Sequence, residues 1–304
     1  MSLYTDPESA RLRRSVLCLP ASNERAIAKL SALAMDAVIL DLEDSVAATM
    51  KEQGRRNIRA FCQARLLERR ETIIRINDTA SVHYADDLRL VLECEPDAVL
   101  LPKVRTHDDI LDLATYLGEN DAPESLRIWA MIETPLAVLN AGPIAETGRT
   151  SGGRLDCLVV GLNDLRKDTG VKPDPARTFV TPWLMQVLLA GRAFGLAVLD
   201  SVSNDFKNLE SFEAECAQGR AMGFDGKMLI HPAQIDASNR LFQASRDEIT
   251  EAQAIVAAFA TPGAEHVNAN AISIDGRMVE RLHYEQAMAL IAKADLIKTR
   301  NETA

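Results

Sequence analysis

The fold class this 304-residue sequence predicts is α/β: a (β/α)8 TIM barrel with a C-terminal helical extension. Three observations predict it. Short runs rich in Val, Ile and Leu recur from Ser15 to Ile230. The runs are continuously apolar instead of alternating, which marks strands covered on both faces. Longer stretches with helical spacing separate most of them, as crossover helices would. Such a barrel takes about 250 residues, so the expected division is a catalytic barrel over 1–235 and a helical extension over 236–304.

The first strand is SVLCL (Ser15–Leu19). It leads into Asn23–Leu33, where Asn23 is placed to cap a helix whose Ile27, Leu30 and Leu33 share a stripe. AVILDL (Ala37–Leu42), TIIRI (Thr72–Ile76) and AVLL (Ala98–Leu101) follow. The fifth strand, RIWAMI (Arg127–Ile132), runs into Thr134-Pro135, a good helix start. CLVV (Cys157–Val160) ends at Gly161, which allows a tight exit; LAVL (Leu196–Leu199) and KMLI (Lys227–Ile230) complete the set. Beyond them lie two helical runs joined by a loop, TPGAEHVNANAISIDG. The last helix carries Ala287, Leu290, Ile291, Ala294 and Ile297 on one face, suited to packing within the chain or against a neighbouring subunit.

The formal net charge of −10 argues against nucleic-acid and anionic-membrane partners, which require a broad basic face. An anionic small ligand needs only a local positive site. The five cysteines show no CxxC or metal-ligand spacing; Cys18, Cys157 and Cys216 sit among apolar neighbours and read as core. Their odd number fits a reducing compartment. No apolar stretch approaches a membrane span, so a cytoplasmic location is the expectation.

A barrel places its chemistry at the C-terminal ends of its strands. Those exits carry Pro20-Ala21-Ser22; Asp41, Glu43 and Asp44; Arg75 and Asn77; Lys103; Glu133; Asp164; Asp200; and His231. Three carboxylates within DLED repel one another unless something positive offsets them. Glu133 follows four apolar residues directly, and Asp164 lies one strand–helix unit further on, so the two would come from neighbouring strands. Such a pair of hard oxygen ligands suits Mg2+, which takes one or two carboxylates and fills its octahedron with water and substrate oxygens. Glu43 and Asp44 would then accept hydrogen bonds from metal-bound waters. Plainer readings stand beside these. Glu133 fits a first-turn carboxylate favoured by the helix dipole, and Asp164 an N-cap. Arg75 fits a structural ion pair with Asp41 or Glu43, Lys103 a snorkelling surface lysine, and His231 a backbone-bonding histidine.

In chain order, SVLCLPASNERAIAKL, DAVILDLEDSVA, IIRIN, AVLLPKV, AMIETPLAVLNA, VVGLNDL and GFDGKMLIHPAQI resemble the citrate lyase β-subunit-like branch of the HpcH/HpaI aldolase family. The resemblance runs from about Ser15 to the C-terminal DGRMVERLH. It implies the same barrel with a C-terminal helical extension, assembled as a homotrimer or hexamer, and cleavage or formation of a C–C bond in β-hydroxyacyl thioesters. By motif, Glu133 and Asp164 look like the Mg2+ ligands, and Arg75 like the group holding the substrate carboxylate and carbonyl oxygen. Glu43 and Asp44 look like outer acids, and Pro20 and Ser22 lie where the coenzyme A thioester is received. Lys103 joins Glu133 and Arg75 among the expected substrate contacts. One departure stands out. The family commonly ends its G-x-M-[VI]-D motif in an aspartate that reaches a neighbouring subunit's site as acid/base, and this chain has Glu280 there. The added methylene puts hydrolysis or proton abstraction in question more than cleavage, since a displacement of about 1 Å can cost on the order of a hundredfold in rate. The activity implied is Mg2+-dependent cleavage of citramalyl-CoA or malyl-CoA to an acyl-CoA and a 2-oxoacid. Two alternatives are a citrate lyase β chain acting on a citryl group carried by an acyl-carrier protein, and a non-catalytic scaffold or regulatory subunit.

Overall fold

The computed structural model describes residues 11–67, 70–260, 271–274 and 277–302. The chain divides into two compact units, one spanning Arg13–Phe242 and the other formed by Gln243–Ala304 with the N-terminal residues through Leu12.

The first unit is a closed barrel of eight parallel strands in sequential order, with β8 pairing back onto β1. The strands are β1 (Ser15–Pro20), β2 (Ala37–Asp41), β3 (Glu71–Arg75), β4 (Ala98–Leu101), β5 (Arg127–Ile132), β6 (Leu155–Val160), β7 (Ala197–Asp200) and β8 (Gly226–Leu229). All eight expected runs are strands, and most bounds move by one or two residues. The helix expected over Asn23–Leu33 is interrupted. Asn23 caps it, its side chain accepting from the Ala26 N–H at 3.1 Å, but the α-helix covers only Glu24–Ile27 before a 3-10 turn over Leu30–Ala32. The tighter turn brings Leu30 into the core.

Strand alternation sorts the core into two layers. Val16, Cys18, Ile39, Ile73, Leu100, Trp129, Met131, Cys157, Val159, Leu199 and Met228 fill the barrel interior. Their neighbours one position away, including Leu17, Val38, Ile74, Val99, Ile128, Leu158, Val198 and Leu229, join the cluster between strands and helices. The lower end is closed by Arg13, whose guanidinium lies 4.6 Å over the Trp129 ring and donates twice to Glu71 at 2.7 Å.

This parity carries the upper end of the barrel. Counting in steps of two from interior residues reaches Pro20, Asp41, Arg75, Glu133, Gly161, Ser201 and Ile230, so each points into the mouth. The β1–β2–β3 register sets Pro20 beside Asp41 and Asp41 beside Arg75. Asp200 falls on the opposite parity, which corrects the expectation that it faces the mouth. It is buried outside the barrel lumen, where Arg177 Nη1 reaches it at 2.7 and 2.8 Å and Lys227 Nζ at 3.0 Å. Burial alone would raise the Asp200 carboxyl, but Lys227 and Arg177 outweigh it and hold it below the usual range.

In the second unit, the helices Arg246–Ala260 and Arg281–Glu302 pack together. Between them the sequence reading expected a loop. Ala271–Ile274 (β9) instead pairs antiparallel with Arg277–Glu280 (β10), so the extension includes a small hairpin. Ala287 and Ile297 of the last helix are buried as their stripe predicted. Asp275, the first residue of the DGRMVERLH motif that contains Glu280, lies outside the described residues. No helix among the described residues is long and apolar enough to cross a membrane, and all five cysteines are free thiols.

Candidate active site

A cavity of about 540 Å3 opens at the C-terminal end of the barrel. Its lining includes Cys18, Pro20, Asp44, Arg75, Met131, Glu133, Gly161, Asp164, Ser201, Met228 and Ile230. Pro20, Asp44, Arg75, Glu133 and Asp164, all singled out from sequence, therefore meet at one surface. Glu43 lies behind that surface and is buried. Ser22 and Lys103 are only partly covered and are not part of the lining. Glu280 belongs to the second unit, where its backbone N–H donates to His283 Nδ1 at 2.9 Å.

The acid cluster of DLED is balanced by the protein's own cations. Arg75 donates in a fork to Asp41, Nε to Oδ1 at 2.6 Å and Nη2 to Oδ2 at 2.7 Å. Asp41 also accepts from the Glu43 N–H at 2.8 Å and from the Ser45 hydroxyl. Burial would raise its carboxyl, yet the Arg75 charge and these hydrogen bonds hold it below the usual range. The remaining end of the guanidinium, Nη1, lies 3.6 Å from Glu43 Oε2. Arg75 is thus both the structural ion pair and a lining residue: one edge is fixed, and the other is presented to the cavity. Behind it, Lys51 Nζ donates to the carbonyls of Leu42 and Glu43 and to Asn77 Oδ1 at 2.6 to 2.9 Å, tying the exits of β2 and β3 together.

Glu133 is 2% exposed. Its Oε1 accepts the Lys103 backbone N–H at 2.8 Å, while Lys103 Nζ reaches Glu43 Oε1 at 2.5 Å and Asp44 Oδ1 at 3.4 Å. Burial pushes the Glu133 carboxyl up to about 7; the Lys103 N–H and the Arg75 charge oppose this, and Glu43 and Asp164 add to it. On its other side the carboxylate faces Gly161, where a built Cβ would stand 2.7 Å from Oε2 and 2.5 Å from the Glu133 Cβ. Glycine is required there for close approach, a role beyond the tight strand exit read from sequence.

Asp164 stands in the first turn of the helix Leu162–Thr169. It is not the N-cap: Gly161 holds that position, and the Ser201 hydroxyl accepts the Leu162 N–H at 3.0 Å from the next strand exit. Among the described residues no hydrogen-bond donor reaches the Asp164 carboxylate. At the rim, Asn163 and Asn204 donate to one another's Oδ1, at 3.2 and 2.8 Å. His231 stacks on Phe206 at 4.5 Å and accepts the Ala233 N–H on Nδ1, so it performs the backbone-bonding role.

Glu133 and Asp164 fit a hard divalent cation. Both are carboxylates from consecutive strand exits on one cavity, close enough for the charge of Asp164 to raise Glu133. Oε1 of Glu133 is engaged by Lys103, Oε2 is on the Gly161 side, and the Asp164 oxygens have no protein donor. Among the described residues no group of three or more His, Cys, Asp or Glu side chains forms a metal cage. A cation here would rest on these two acids and complete its shell with water and substrate oxygens, the mode suited to Mg2+.

Several lining residues went unread in the sequence. Ser201 had a signal, since it continues the inward parity of Ala197 and Leu199. Asn163 and Asn204 had none, because their partnership depends on two loops meeting.

Comparison with known proteins bears on this site. Residues 14–232 match the model of the HpcH/HpaI aldolase/citrate lyase family. A (3S)-malyl-CoA thioesterase of Cereibacter sphaeroides is 41% identical over 284 residues, covering 93% of this chain and 95% of the relative. The citrate lyase subunit beta of Escherichia coli is 31% identical, covering 99% and 100%. Among solved structures, CitE from Mycobacterium tuberculosis in complex with magnesium, acetoacetate and coenzyme A superposes with a TM-score of 0.71 at 27% identity, covering 92% of this chain and 97% of that one.

Proposed function

The chain belongs to the HpcH/HpaI aldolase/citrate lyase family, a group of carbon–carbon lyases, and from that premise we propose that it is a Mg2+-dependent lyase of 3-hydroxyacyl-CoA thioesters of the malyl-CoA or citramalyl-CoA type. The observation that carries this reading is the convergence of Arg75, Glu133 and Asp164 on one cavity. In this reading Glu133 and Asp164 hold the cation. When bound, Mg2+ supplies Lewis acidity toward the hydroxyl and carboxylate oxygens of the substrate. Arg75, pinned by Asp41, presents Nη1 to the oxygens of the 2-oxoacid half, a fixed positive charge where negative charge develops. Glu43 and Lys103 form the charged wall behind them, Asp44 stands beside them at the cavity surface, and Pro20 and Ser22 mark the approach of the thioester. Cleavage takes the proton from the 3-hydroxyl and breaks the bond between the α- and β-carbons. The electron pair moves onto the thioester as an enolate, and protonation of that carbon releases acyl-CoA beside the 2-oxoacid. The working form is taken as a cytoplasmic homotrimer or hexamer.

A second reading is hydrolysis of the thioester, favoured by the 41% identity to a malyl-CoA thioesterase. Glu280 is then the group that activates water, in the place of the family aspartate. One assay separates the two. Purified full-length protein is incubated with Mg2+ and malyl-CoA or citramalyl-CoA, and the products are quantified. Cleavage yields acetyl-CoA with glyoxylate or pyruvate; hydrolysis yields free CoA with the intact hydroxydiacid. Neither set of products appearing would remove both readings, and products formed undiminished in EDTA would remove the dependence on Mg2+.

A further inference from the structure

We propose that Lys103 is a positioning residue for Glu133: its backbone N–H fixes the carboxylate, and its ammonium, anchored on Glu43 and Asp44, holds that N–H in place. The inference rests on the metal reading above only for its consequence in Mg2+ affinity; the geometry is independent of it. Lys103 has a φ of +52°, in the left-handed region. Lysine gains nothing locally there, unlike glycine or asparagine, so the conformation persists only because its surroundings over-determine it. Those surroundings are on two sides. The side chain is tethered to Glu43 Oε1 at 2.5 Å and Asp44 Oδ1 at 3.4 Å, and the main chain donates to Glu133 Oε1 at 2.8 Å. Opposite Lys103, the bare Cα of Gly161 lies so close that a Cβ would stand 2.7 Å from Oε2. The terminal torsion of a glutamate is otherwise soft. Here it is held between an N–H and a residue without a side chain, so the oxygen turned toward the cavity is set before any ligand arrives. Ordering done in advance is a cost that binding then escapes.

The test compares Lys103→Met with Lys103→Gly in the full-length protein. Both lose the ammonium, but only glycine adopts a positive φ without steric cost. Lys103→Met is expected to weaken Mg2+ binding, measured by calorimetry, at least tenfold, and Lys103→Gly to recover at least threefold of that loss. Crystal structures without Mg2+ are expected to show Glu133 still on the residue-103 N–H in the glycine variant and turned away in the methionine variant. Glu133 unmoved in Lys103→Met, or equal weakening in both variants, overturns the proposal; equal weakening would assign the effect to the ammonium charge alone. If Lys103→Met fails to fold, Lys103→Gln takes its place. Wild-type protein that binds no Mg2+ would sink the metal reading, and the Glu133 orientations would still judge Lys103.

Discussion

Replacing Gly161 by alanine puts the arrangement of the mouth to a direct test. Gly161 has φ −111°, so alanine brings no backbone strain, and its whole effect comes from one methyl group. That methyl would stand 2.5 Å from the Glu133 Cβ, 2.7 Å from Oε2 and 3.1 Å from Met131 Cε, where ordinary contact begins at 3.4 Å. The Met131 terminus can move aside, but the Glu133 Cβ is attached to the end of a barrel strand. Relief requires a shift of roughly 0.9 Å there, and overpacking of this kind costs about 1–3 kcal/mol. For a unit of this size that lowers the apparent Tm by about 2–12 °C. A carboxylate displaced by close to 1 Å should also reduce turnover on the order of a hundredfold and weaken Mg2+ binding. Gly118→Ala is the control: nothing lies within 4 Å of its added Cβ, and in the exposed last turn of the helix His107–Glu119 it should be neutral or stabilising by at most about 0.5 kcal/mol. Differential scanning fluorimetry and calorimetric Mg2+ titration read both variants. A Gly161→Ala protein that melts and binds Mg2+ like wild type would show that the Gly161–Glu133 approach imposes no constraint.

Two more perturbations probe charge. Because burial raises the folded-state Glu133 carboxyl to about 7, the folded chain binds more protons than the unfolded one between about 4.5 and 7. Its contribution to stability is therefore fully present below about 4.5 and lost as pH rises through 7, a change of up to about 3 kcal/mol. Glu133→Gln should abolish Mg2+ binding and, in EDTA, flatten this part of the Tm-against-pH curve; parallel curves for variant and wild type would refute the assignment. Asp200→Asn leaves Lys227 and Arg177 buried without their shared anion, and should cost about 3–5 kcal/mol in urea unfolding at pH 7. Since Asp200 is held below the usual carboxylate range, its contribution is present above the ordinary carboxylate pKa and lost as pH falls through the lowered folded value. The gap between wild type and variant should thus narrow in acid, and a cost under about 1 kcal/mol at pH 7 would count against the network.

Strand positions were legible because a strand covered on both faces leaves an uninterrupted apolar run, as in Ala98–Leu101 and Cys157–Val160. The rule that barrel chemistry lies at strand exits then found Arg75, Glu133 and Asp164. Asp200 was misread because the rule names an exit without naming a face; the interior parity of Ala197 and Leu199 sends Asp200 outward and Ser201 inward. The partners of the acid cluster were harder to read. Lys103 joins Glu43 across 60 positions and Glu133 across 30, through a left-handed backbone that no local signal announces in lysine. The broken helix after Asn23 and the hairpin at β9–β10 were hidden for a similar reason, since short apolar segments fit several local structures until packing selects one.

The reciprocal amides of Asn163 and Asn204 join the loops beyond β6 and β7. Each gives and receives one hydrogen bond, and neither side chain gains or loses a proton. This tie therefore keeps one strength while the carboxylates beneath it change charge. Over the pH range in which Glu133 changes charge, the joint between these two loops is unaltered.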